Sequence, residues 1–537
     1  DLVRYTACST LTTNGTGNIT LNGVGGNNYD NSTHGVGINL YSGGTAHVIS
    51  AASGTINLVG TAGGTGAGTS SRLQAGINSD GGTANIYTSS GAINLTGIGS
   101  TTALLNNGGT VIVGKNPTSN AITTGAITLI TNSLSFASGT TAIYSTGTAQ
   151  IKPYTSGTTI GLGSGTGTLS LSSSLFSGAS RVFQDGFSRI TLGDSTTGTL
   201  TVGGANSFSD NVVLQSAANI VLATGASIAD TQSSGYVALA ATANFINNAG
   251  ASAISLTNGR WVVYSASPTN DVFGDLNSGN APVWGSTFST LAPTSVASGN
   301  RYVFNSIPSV TITANNINKT YGDVMASNTI LGVSSSSGTT SVYSVPTLSD
   351  VFSTLPVAAS TGMLSTATVN GGPYAITVTP GVAVAGYSVT YATPGSITVT
   401  PKALSVTGTT VANKVYDATT TATLSGGVLN GVINSDVVYL VEAGNFASKN
   451  VGTGLAIVAS DSLSGAHASN YTVTQPTGLS ANITAKALTM SGLTANDKVY
   501  DGNTTATVVN NAALTGSQAA GAGTSTDGKW YSGDTVS

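Results

Sequence analysis

A five-residue segment that starts with glycine and then alternates polar and apolar residues recurs, with variations, through the first half of the chain. Examples are Gly17–Leu21, Gly54–Leu58, Gly91–Leu95, Gly109–Val113, Gly125–Leu129, Gly167–Leu171 and Gly198–Val202. A period of two is typical of a β-strand and not of a helix. Strands that return about 16 to 20 residues apart, as from Gly17 to Gly37 to Gly54, indicate a coil of stacked turns. We therefore predict a right-handed parallel β-helix for residues 1–258.

The composition of the chain suits such a coil. Charged residues make up 6% of the 537 residues, whereas soluble domains typically contain about 25%. In a stacked coil, Ile, Leu and Val pack on the same residue types of the next turn, while Thr, Asn and Ser face solvent. Hydrogen bonds between turns hold the coil, so few ion pairs are needed. About 12 to 14 turns spaced ~4.8 Å apart would give a rod of roughly 60 Å.

A series of antiparallel β-sandwiches is the alternative architecture for this half. Such folds place strands about 8 to 12 residues apart and join many of them by tight hairpins. The hairpin signals here are few, namely Asn14-Gly15, Asn22-Gly23, Asp80-Gly81 and Asp185-Gly186. The parallel coil is therefore favoured, and the sandwich series stays open.

Residues 259–305 differ in character from the sequence on both sides. This stretch contains Trp261 and Trp284, two of the three tryptophans of the chain. Aromatic side chains bury large areas and can close a core that would otherwise end in exposed strand edges. We predict that residues 259–305 cap the β-helix and form the junction to the second half. An ordinary linker is the alternative.

A Lys-x-Tyr signal occurs three times after the junction. Its copies are Lys319-Thr320-Tyr321-Gly322-Asp323, Lys414-Val415-Tyr416-Asp417 and Lys498-Val499-Tyr500-Asp501. Tyr416 and Tyr500 are 84 residues apart (500 − 416), and Leu404 and Leu488 share that spacing. An all-β module of about 85 residues has the size of a small sandwich. We predict tandem β-sandwich-like modules at 306–400, 401–484 and 485–537, the last of them incomplete.

The Lys-x-Tyr signal has a structural and a chemical interpretation. Structurally, Tyr321, Tyr416 and Tyr500 pack their rings into the core and tie their hydroxyls to backbone at a corner, while Asp417 and Asp501 turn the chain. Chemically, the lysine could form a cross-link or the tyrosine could act as an acid. Acid–base chemistry needs a partner within hydrogen-bonding reach, and no His or Glu recurs in the modules. The structural interpretation is therefore favoured.

Charge, cysteine content and hydropathy exclude several classes of protein. The formal net charge of −4 leaves no basic patch for nucleic acid. No apolar run is long enough for a membrane-spanning helix. The single cysteine, Cys8, excludes an internal disulfide. The chain opens without a signal-peptide pattern and stops within a module, so we expect an internal piece of a longer polypeptide.

Metal, cofactor and catalytic sites are not expected. The three histidines, His34, His47 and His467, are scattered and have no clustered ligands near them in sequence. The glycine-rich stretch at 60–66 lacks the lysine of a phosphate-binding loop. A polysaccharide-cleaving β-helix would need paired carboxylates on one face. The aspartates at near-turn spacing that could supply them are Asp185, Asp194, Asp210 and Asp230.

Two parts of the chain resemble known exoproteins. The segment 250–304, with Gly259-Arg260-Trp261 and Gly299-Asn300-Arg301-Tyr302, resembles the end of the β-helix in filamentous-haemagglutinin-like bacterial exoproteins. The three Lys-x-Tyr repeats resemble the MBG module (306–400) and the YDG modules (401–484 and 485–537) found downstream in such proteins. The Asn-Pro motifs of the family's secretion domain are not recognisable in this sequence.

The resemblance implies a cell-surface or secreted protein of Gram-negative bacteria, exported by two-partner secretion through an outer-membrane β-barrel. We therefore expect a non-catalytic adhesive stalk, acting in adhesion or biofilm, that binds a host, bacterial or matrix ligand. A self-assembling filament subunit, which would bind copies of itself, is the first alternative. A polysaccharide-degrading enzyme is the second.

Overall fold

The computed structural model describes residues 3–4, 10–25, 35–40, 46–63, 75–99, 103–232, 234–326, 331–337, 347–384, 386–509 and 512–537. Cys8 and His34 lie outside the described residues. The chain divides into two compact units. The first comprises residues 1–311, 334–351 and 383–390, and the second comprises residues 312–333, 352–382 and 391–537.

The first unit is built on a ten-stranded sheet, called here the long sheet, in which every strand pair is parallel. Its strands, in chain order, are Ile19–Val24, Ile56–Thr61, Ile93–Ile98, Ile127–Ile130, Thr148–Lys152, Arg189–Gly193, Val212–Ser216, Tyr236–Ala241, Arg260–Ser265 and Arg301–Phe304. Neighbours in the sheet are also successive in this order, so the chain returns to the same sheet once per turn. This is the stacked coil of a parallel β-helix, and the antiparallel alternative is wrong for these strands.

Three further parallel sheets complete the coil, together with short 3-10 helices at Ser173–Leu175, Pro268–Asn270 and Pro293–Ser295. The eight-stranded sheet contains Val3–Arg4, Thr10–Thr13, Ile38–Asn39, His47–Ala51, Ile77–Ser79, Thr83–Thr88, Leu104–Val113 and Leu134–Ile143. The five-stranded sheet contains Ile160–Gly163, Leu169–Leu171, Leu200–Gly203, Ile220–Leu222 and Phe245–Asn247. The three-stranded sheet contains Ala205–Phe208, Ser227–Asp230 and Ile254–Leu256.

The spacing of 16 to 20 residues separates successive strands and not successive turns of the coil. Ile19 pairs with Ile56, which is 37 residues later (56 − 19), and the strand that follows Gly37 belongs to the eight-stranded sheet. Two glycine-started strands therefore fit into one turn. Within the described residues the long sheet has ten strands, which is fewer than the 12 to 14 turns expected. At ~4.8 Å between neighbours, the ten strands stack over roughly 43 Å.

Two columns of apolar side chains run the length of the long sheet. The first contains Ile19, Ile56, Ile93, Ile127, Ala149, Ile190, Val212, Val237 and Trp261. The second contains Leu21, Leu58, Leu95, Leu129, Ile151, Leu192, Leu214, Leu239, Val263 and Tyr302. Most of these side chains are fully buried. Apolar burial between turns is therefore the main source of stability in this unit.

The second unit contains small sheets of two to five strands, many of them antiparallel. Its larger sheets are formed by Ile317–Thr320, Tyr374–Ala375 and Ser396–Thr400; by Lys402–Thr407, Val428–Asn430 and Tyr471–Thr474; and by Lys414–Val415, Thr421–Ala422, Gly444–Phe446, Gly452–Ala459 and Ser480–Thr484. Its two-stranded sheets pair Val357–Ala359 with Thr377–Thr379, Thr410–Val411 with Leu424–Ser425, Tyr439–Val441 with Ser462–Ser464, Met490–Ser491 with Ala513–Leu514, Thr494–Ala495 with Val508–Val509, and Ser517–Gln518 with Trp530–Tyr531.

The remaining elements are short. They are the strands Ser309–Ala314, Leu331–Ser337, Phe352–Thr354, Val382–Ala383 and Ser388–Tyr391, the α-helix Leu348–Val351, and the 3-10 helices Thr361–Met363 and Ala468–Asn470. The all-β fold class predicted from the sequence, a parallel coil followed by small β modules, is confirmed. In the described parts of the chain, no helix has the length and hydropathy needed to cross a membrane.

Candidate functional site: the lysine, tyrosine and aspartate signature

The lysine and aspartate of the second Lys-x-Tyr copy close a tight turn, called here the lysine clasp. Lys414 Nζ donates to Asp417 Oδ1 at 2.7 Å and to the carbonyl oxygen of Thr419 at 2.8 Å. Asp417 Oδ1 also accepts from the backbone N–H of Thr419 at 2.9 Å. Burial works to raise the pKa of Asp417, but the hydrogen bonds from Lys414 and Thr419 outweigh it and lower the pKa. The clasp thus fixes a charged turn next to Tyr416.

The third copy repeats the clasp and the first copy modifies it. Lys498 Nζ lies 2.9 Å from Asp501 Oδ1 and 2.9 Å from the carbonyl oxygen of Asn503. In the first copy glycine occupies the aspartate position, and Lys319 Nζ donates instead to the carbonyl oxygen of Asp323 at 2.7 Å. Burial lowers the pKa of Lys319. In all three copies the ammonium group is therefore hydrogen-bonded to the turn that surrounds it, and Lys319 Nζ also donates to the carbonyl oxygen of Leu364.

The tyrosine of each of the first two copies reaches an aspartate far along the chain, a contact called here the tyrosine–aspartate tie. Tyr321 Oη donates to Asp436 Oδ2 at 2.8 Å. Tyr416 Oη donates to the carboxylate of Asp534, with its two oxygens at 2.8 and 2.9 Å. Each tie joins one predicted module to the next, since the partners are 115 and 118 residues apart.

A second tyrosine packs against each tie. Tyr321 meets Tyr471 edge to face with ring centroids 5.3 Å apart, and Tyr416 meets Tyr531 in the same way at 5.9 Å. Tyr471 Oη donates to the same Asp436 oxygen at 2.6 Å. Burial and then the hydrogen-bonded carboxylate raise the pKa of Tyr416 and of Tyr471 to about 12. The tyrosine protons are therefore held firmly in the ties at neutral pH.

Tyr500 forms no tie within the described part of the chain. Its lysine clasp is in place, but its own side chain is 93% exposed. By contrast, Tyr321 is 2% exposed and belongs to a core with Ala367, Val399, Leu404 and Tyr471. The predicted packing of the signature rings therefore holds for Tyr321 and Tyr416 and not for Tyr500. The predicted bond from the hydroxyl to backbone at the corner is wrong for Tyr321 and Tyr416, because their acceptors are distant carboxylates.

The two tryptophans lie where the long sheet ends. Trp261 tops the first apolar column and meets Tyr302, which tops the second, with ring centroids 4.9 Å apart. Trp284 packs on Phe304 at 4.9 Å and on Tyr387 at 6.3 Å. Both indoles are buried. The aliphatic columns thus end in aromatic side chains at this edge.

Three of the four candidate catalytic aspartates lie close together, and the fourth does not. Burial raises the pKa of Asp210 to about 6, and the charges of Asp185 and Asp230 add to the effect. Asp210 Oδ1 accepts from the backbone N–H of Gly186 at 3.0 Å, and Asp230 Oδ1 accepts from that of Gln232 at 2.8 Å. Asp210 and Asp230 are only 3% and 2% exposed. Their carboxylates therefore support turns and are closed to a polysaccharide.

The remaining aspartate and histidine candidates are separate from this cluster. Asp194 pairs with Lys152 at 3.2 Å and accepts from the backbone N–H of Thr196 at 2.8 Å. His47 is buried in the eight-stranded sheet, and His467 Nδ1 accepts from the backbone N–H of Val437 at 2.9 Å. Among the residues that the structure describes, no group of three His, Cys, Asp or Glu side chains could hold a metal ion.

The two aspartates that accept the ties were not predicted from the sequence. Asp436 lies in Asn434-Ser435-Asp436-Val437-Val438, and Asp534 lies in Ser532-Gly533-Asp534-Thr535-Val536. These two segments share an Asp-x-Val pattern, but they are 98 residues apart (534 − 436) and not 84. The different spacing concealed the repeat. Alignment of the two segments by their Asp-x-Val pattern would have found it.

The fold and the signature define a class of protein: an all-β chain with a stacked parallel coil and small tandem β modules tied by tyrosine and aspartate. Within it, the YDG domain family matches residues 400–478. This match confirms a YDG module at the predicted position 401–484. The YDG module at 485–537, the MBG module at 306–400 and the filamentous-haemagglutinin part of the resemblance stay predictions. Comparison with curated proteins and with solved structures found no match.

Proposed function

We propose that this chain is a non-catalytic structural and adhesive stalk of a large bacterial exoprotein, located outside the cell or on its surface, and acting in adhesion or biofilm. The observation that carries the proposal is the series of tyrosine–aspartate ties. Each tie fastens one module to the next through a charged hydrogen bond and an aromatic contact. A chain of modules fastened in this way resists bending, which a stalk requires and an enzyme does not.

Two further features support a stalk. The parallel stack presents Thr, Asn and Ser with few charges, and its ion pairs are sparse because backbone hydrogen bonds join the turns. Two of the four aspartates that could have served in sugar cleavage, Asp210 and Asp230, are buried in turns. Both features favour a scaffold that presents surface over a reactive cleft.

Negative-stain imaging of the purified chain over a wide concentration range tests this function. A stalk is expected to give separate elongated particles at every concentration. Long regular filaments at high concentration would instead indicate a self-assembling filament subunit and would overturn the proposal of a stalk.

Beads coated with the chain test adhesion, with beads coated with an unrelated protein as control. Specific retention on host-cell, bacterial or matrix surfaces is expected. Release of new reducing ends or unsaturated sugars from a panel of polysaccharides, lost in the double variant Asp185→Asn and Asp210→Asn, would contradict a non-catalytic role.

A further inference from the structure

The third copy of the signature matches the second copy locally but lacks the tie. Lys498, Asp501 and Asn503 form the same clasp as Lys414, Asp417 and Thr419. The tyrosine next to each clasp is therefore held at a similar place on its turn. Tyr500 is nevertheless 93% exposed and its neighbour Val499 is 90% exposed.

The surroundings of the other two tyrosines show what such a site accepts. Each receives an aspartate from an Asp-x-Val segment and the ring of a further tyrosine. Each acceptor lies in the module after the tyrosine, and this holds for both ties. The partner chemistry is thus the same twice: a carboxylate for the hydroxyl, and an aromatic and aliphatic surface for the ring.

We propose that the surface around Val499 and Tyr500 is a docking site for a further YDG-type module, whose Asp-x-Val aspartate accepts the Tyr500 hydroxyl. Docking buries the exposed side chains of Leu493, Val499 and Tyr500, which are 60%, 90% and 93% exposed. Burial of such side chains is favourable by about 25 cal/mol for each Å² of apolar surface. The clasp at Lys498 holds the site ready before the partner arrives.

The pattern also predicts which partner does not fit. A segment with asparagine in place of the aspartate offers only a neutral acceptor, and hydrogen bonds to charged groups are about twice as strong as neutral ones. A module without the second tyrosine leaves one edge of the Tyr500 ring uncovered. The site therefore discriminates for a module with both features.

The test adds a matching partner to the intact chain. Asp534 corresponds to Asp436, so residue 537 corresponds to residue 439, and a second copy of residues 440–537 is fused after Ser537. The copy carries Tyr500→Phe, so the nitrated peptide comes from the original Tyr500 alone. This extension supplies the later part of one module and then a new Asp-x-Val segment. Tyrosine nitration, mapped by peptide mass spectrometry, reports the accessibility of Tyr500 in the original and extended chains.

The expected result is that nitration of Tyr500 falls at least five-fold in the extended chain, to the level of Tyr416. Nitration of Tyr154, which is 50% exposed in the first unit, provides an internal reference and stays unchanged. An extended chain with the appended copy of Asp534 changed to Asn is expected to recover part of the nitration. The test is independent of adhesion, so the docking site and the proposed function can fail separately.

Two results would overturn the proposed docking, and a third would overturn the proposed role of the aspartate. One is an extension that becomes protease-resistant while Tyr500 stays as reactive as before. The other is an extension that remains protease-sensitive, because a site prepared by the clasp should order a matching module. If the Asp and Asn extensions protected Tyr500 from nitration equally, the carboxylate would have no role in recognition. That result would contradict the predicted tie.

Discussion

The signature tyrosine works through its hydroxyl as well as through its ring. Tyr416 donates to a carboxylate that also lies 3.4 Å from Lys449 Nζ, so the acceptor charge is partly balanced. Hydrogen bonds to charged groups contribute more than neutral ones, and an acceptor left without its donor loses that contribution. Lys414, two residues before the tyrosine, takes no part in the tie, since its protons are used within the clasp.

The Tyr416→Phe substitution tests the contribution of the hydroxyl separately from that of the ring. It keeps the ring contact with Tyr531 and removes the hydroxyl, so we expect the second unit to lose about 1 to 2 kcal/mol of unfolding free energy. Urea unfolding followed by far-UV circular dichroism measures the loss. The matched control is Tyr500→Phe, which should change the free energy by less than about 0.5 kcal/mol because the side chain is exposed. Equal effects of the two substitutions would contradict the tie.

At the scale of the elements, the corners of the coil depend on a column of glycines. Gly54, Gly91 and Gly125 each precede a strand of the long sheet and lie one above another. A Cβ atom on Gly91 would overlap the carbonyl oxygen of Gly54, and one on Gly125 would overlap that of Gly91. The repeat of glycine before each strand is therefore a requirement of close approach between successive turns.

The Gly91→Ala substitution should strain this corner because the backbone of the adjacent turn cannot give way. Overpacking of this kind costs about 1 to 3 kcal/mol, and we expect the first unit to lose an amount in this range. Trp261 and Trp284 both lie in the first unit, so tryptophan fluorescence during urea unfolding, in a Trp530→Phe background, reports the change. Ser90→Ala, at an exposed neighbouring residue, is the control and should be close to neutral. A neutral Gly91→Ala would show that the turns can separate at no cost.

At the scale of the whole molecule, the sparse charges make the few buried carboxylates important. Burial raises the pKa of Asp210 and of Asp271 to about 6. Asp271 Oδ1 accepts from the backbone N–H of Phe245 at 2.8 Å, and its other oxygen accepts from Ser265. Both groups lie in the first unit. The folded state therefore takes up protons that the unfolded state, with a pKa of about 3.9, does not bind at the same pH.

The first unit should accordingly be more stable at pH 4.5 than at pH 7. Stability from a raised carboxyl pKa is present below the unfolded value and is lost as the pH rises from about 4 to about 6. Asp194, a carboxyl of the same unit whose pKa is lowered, despite burial, by hydrogen bonds from Thr196, Lys152 and Thr197, loses its contribution only below this window. Urea midpoints from tryptophan fluorescence at the two pH values measure the effect. The Asp271→Asn substitution keeps both hydrogen-bonding positions and should reduce the difference in stability between pH 4.5 and pH 7. An unchanged difference would show that Asp271 is not the group responsible.

The sequence was informative about the coil because its physical requirements are local and repeated. Alternation in segments such as Gly91–Leu95 identified strands, and the return of glycine identified corners that recur on stacking. The number of strands per turn was not predicted correctly. Only hydrogen-bond pairing between distant residues, such as Ile19 and Ile56, distinguishes successive strands from successive turns.

What the sequence determined by itself was the all-β class, the parallel coil and the repeat of the Lys-x-Tyr signal, since each follows from residue type and spacing. The tertiary structure decided which aspartate each tyrosine bonds, which carboxylates are buried, and which signature tyrosine remains exposed. The ties in particular join groups more than 100 residues apart, as Tyr321 and Asp436 are. Local pattern carries no information on such pairs, because their contact exists only after the intervening strands have packed.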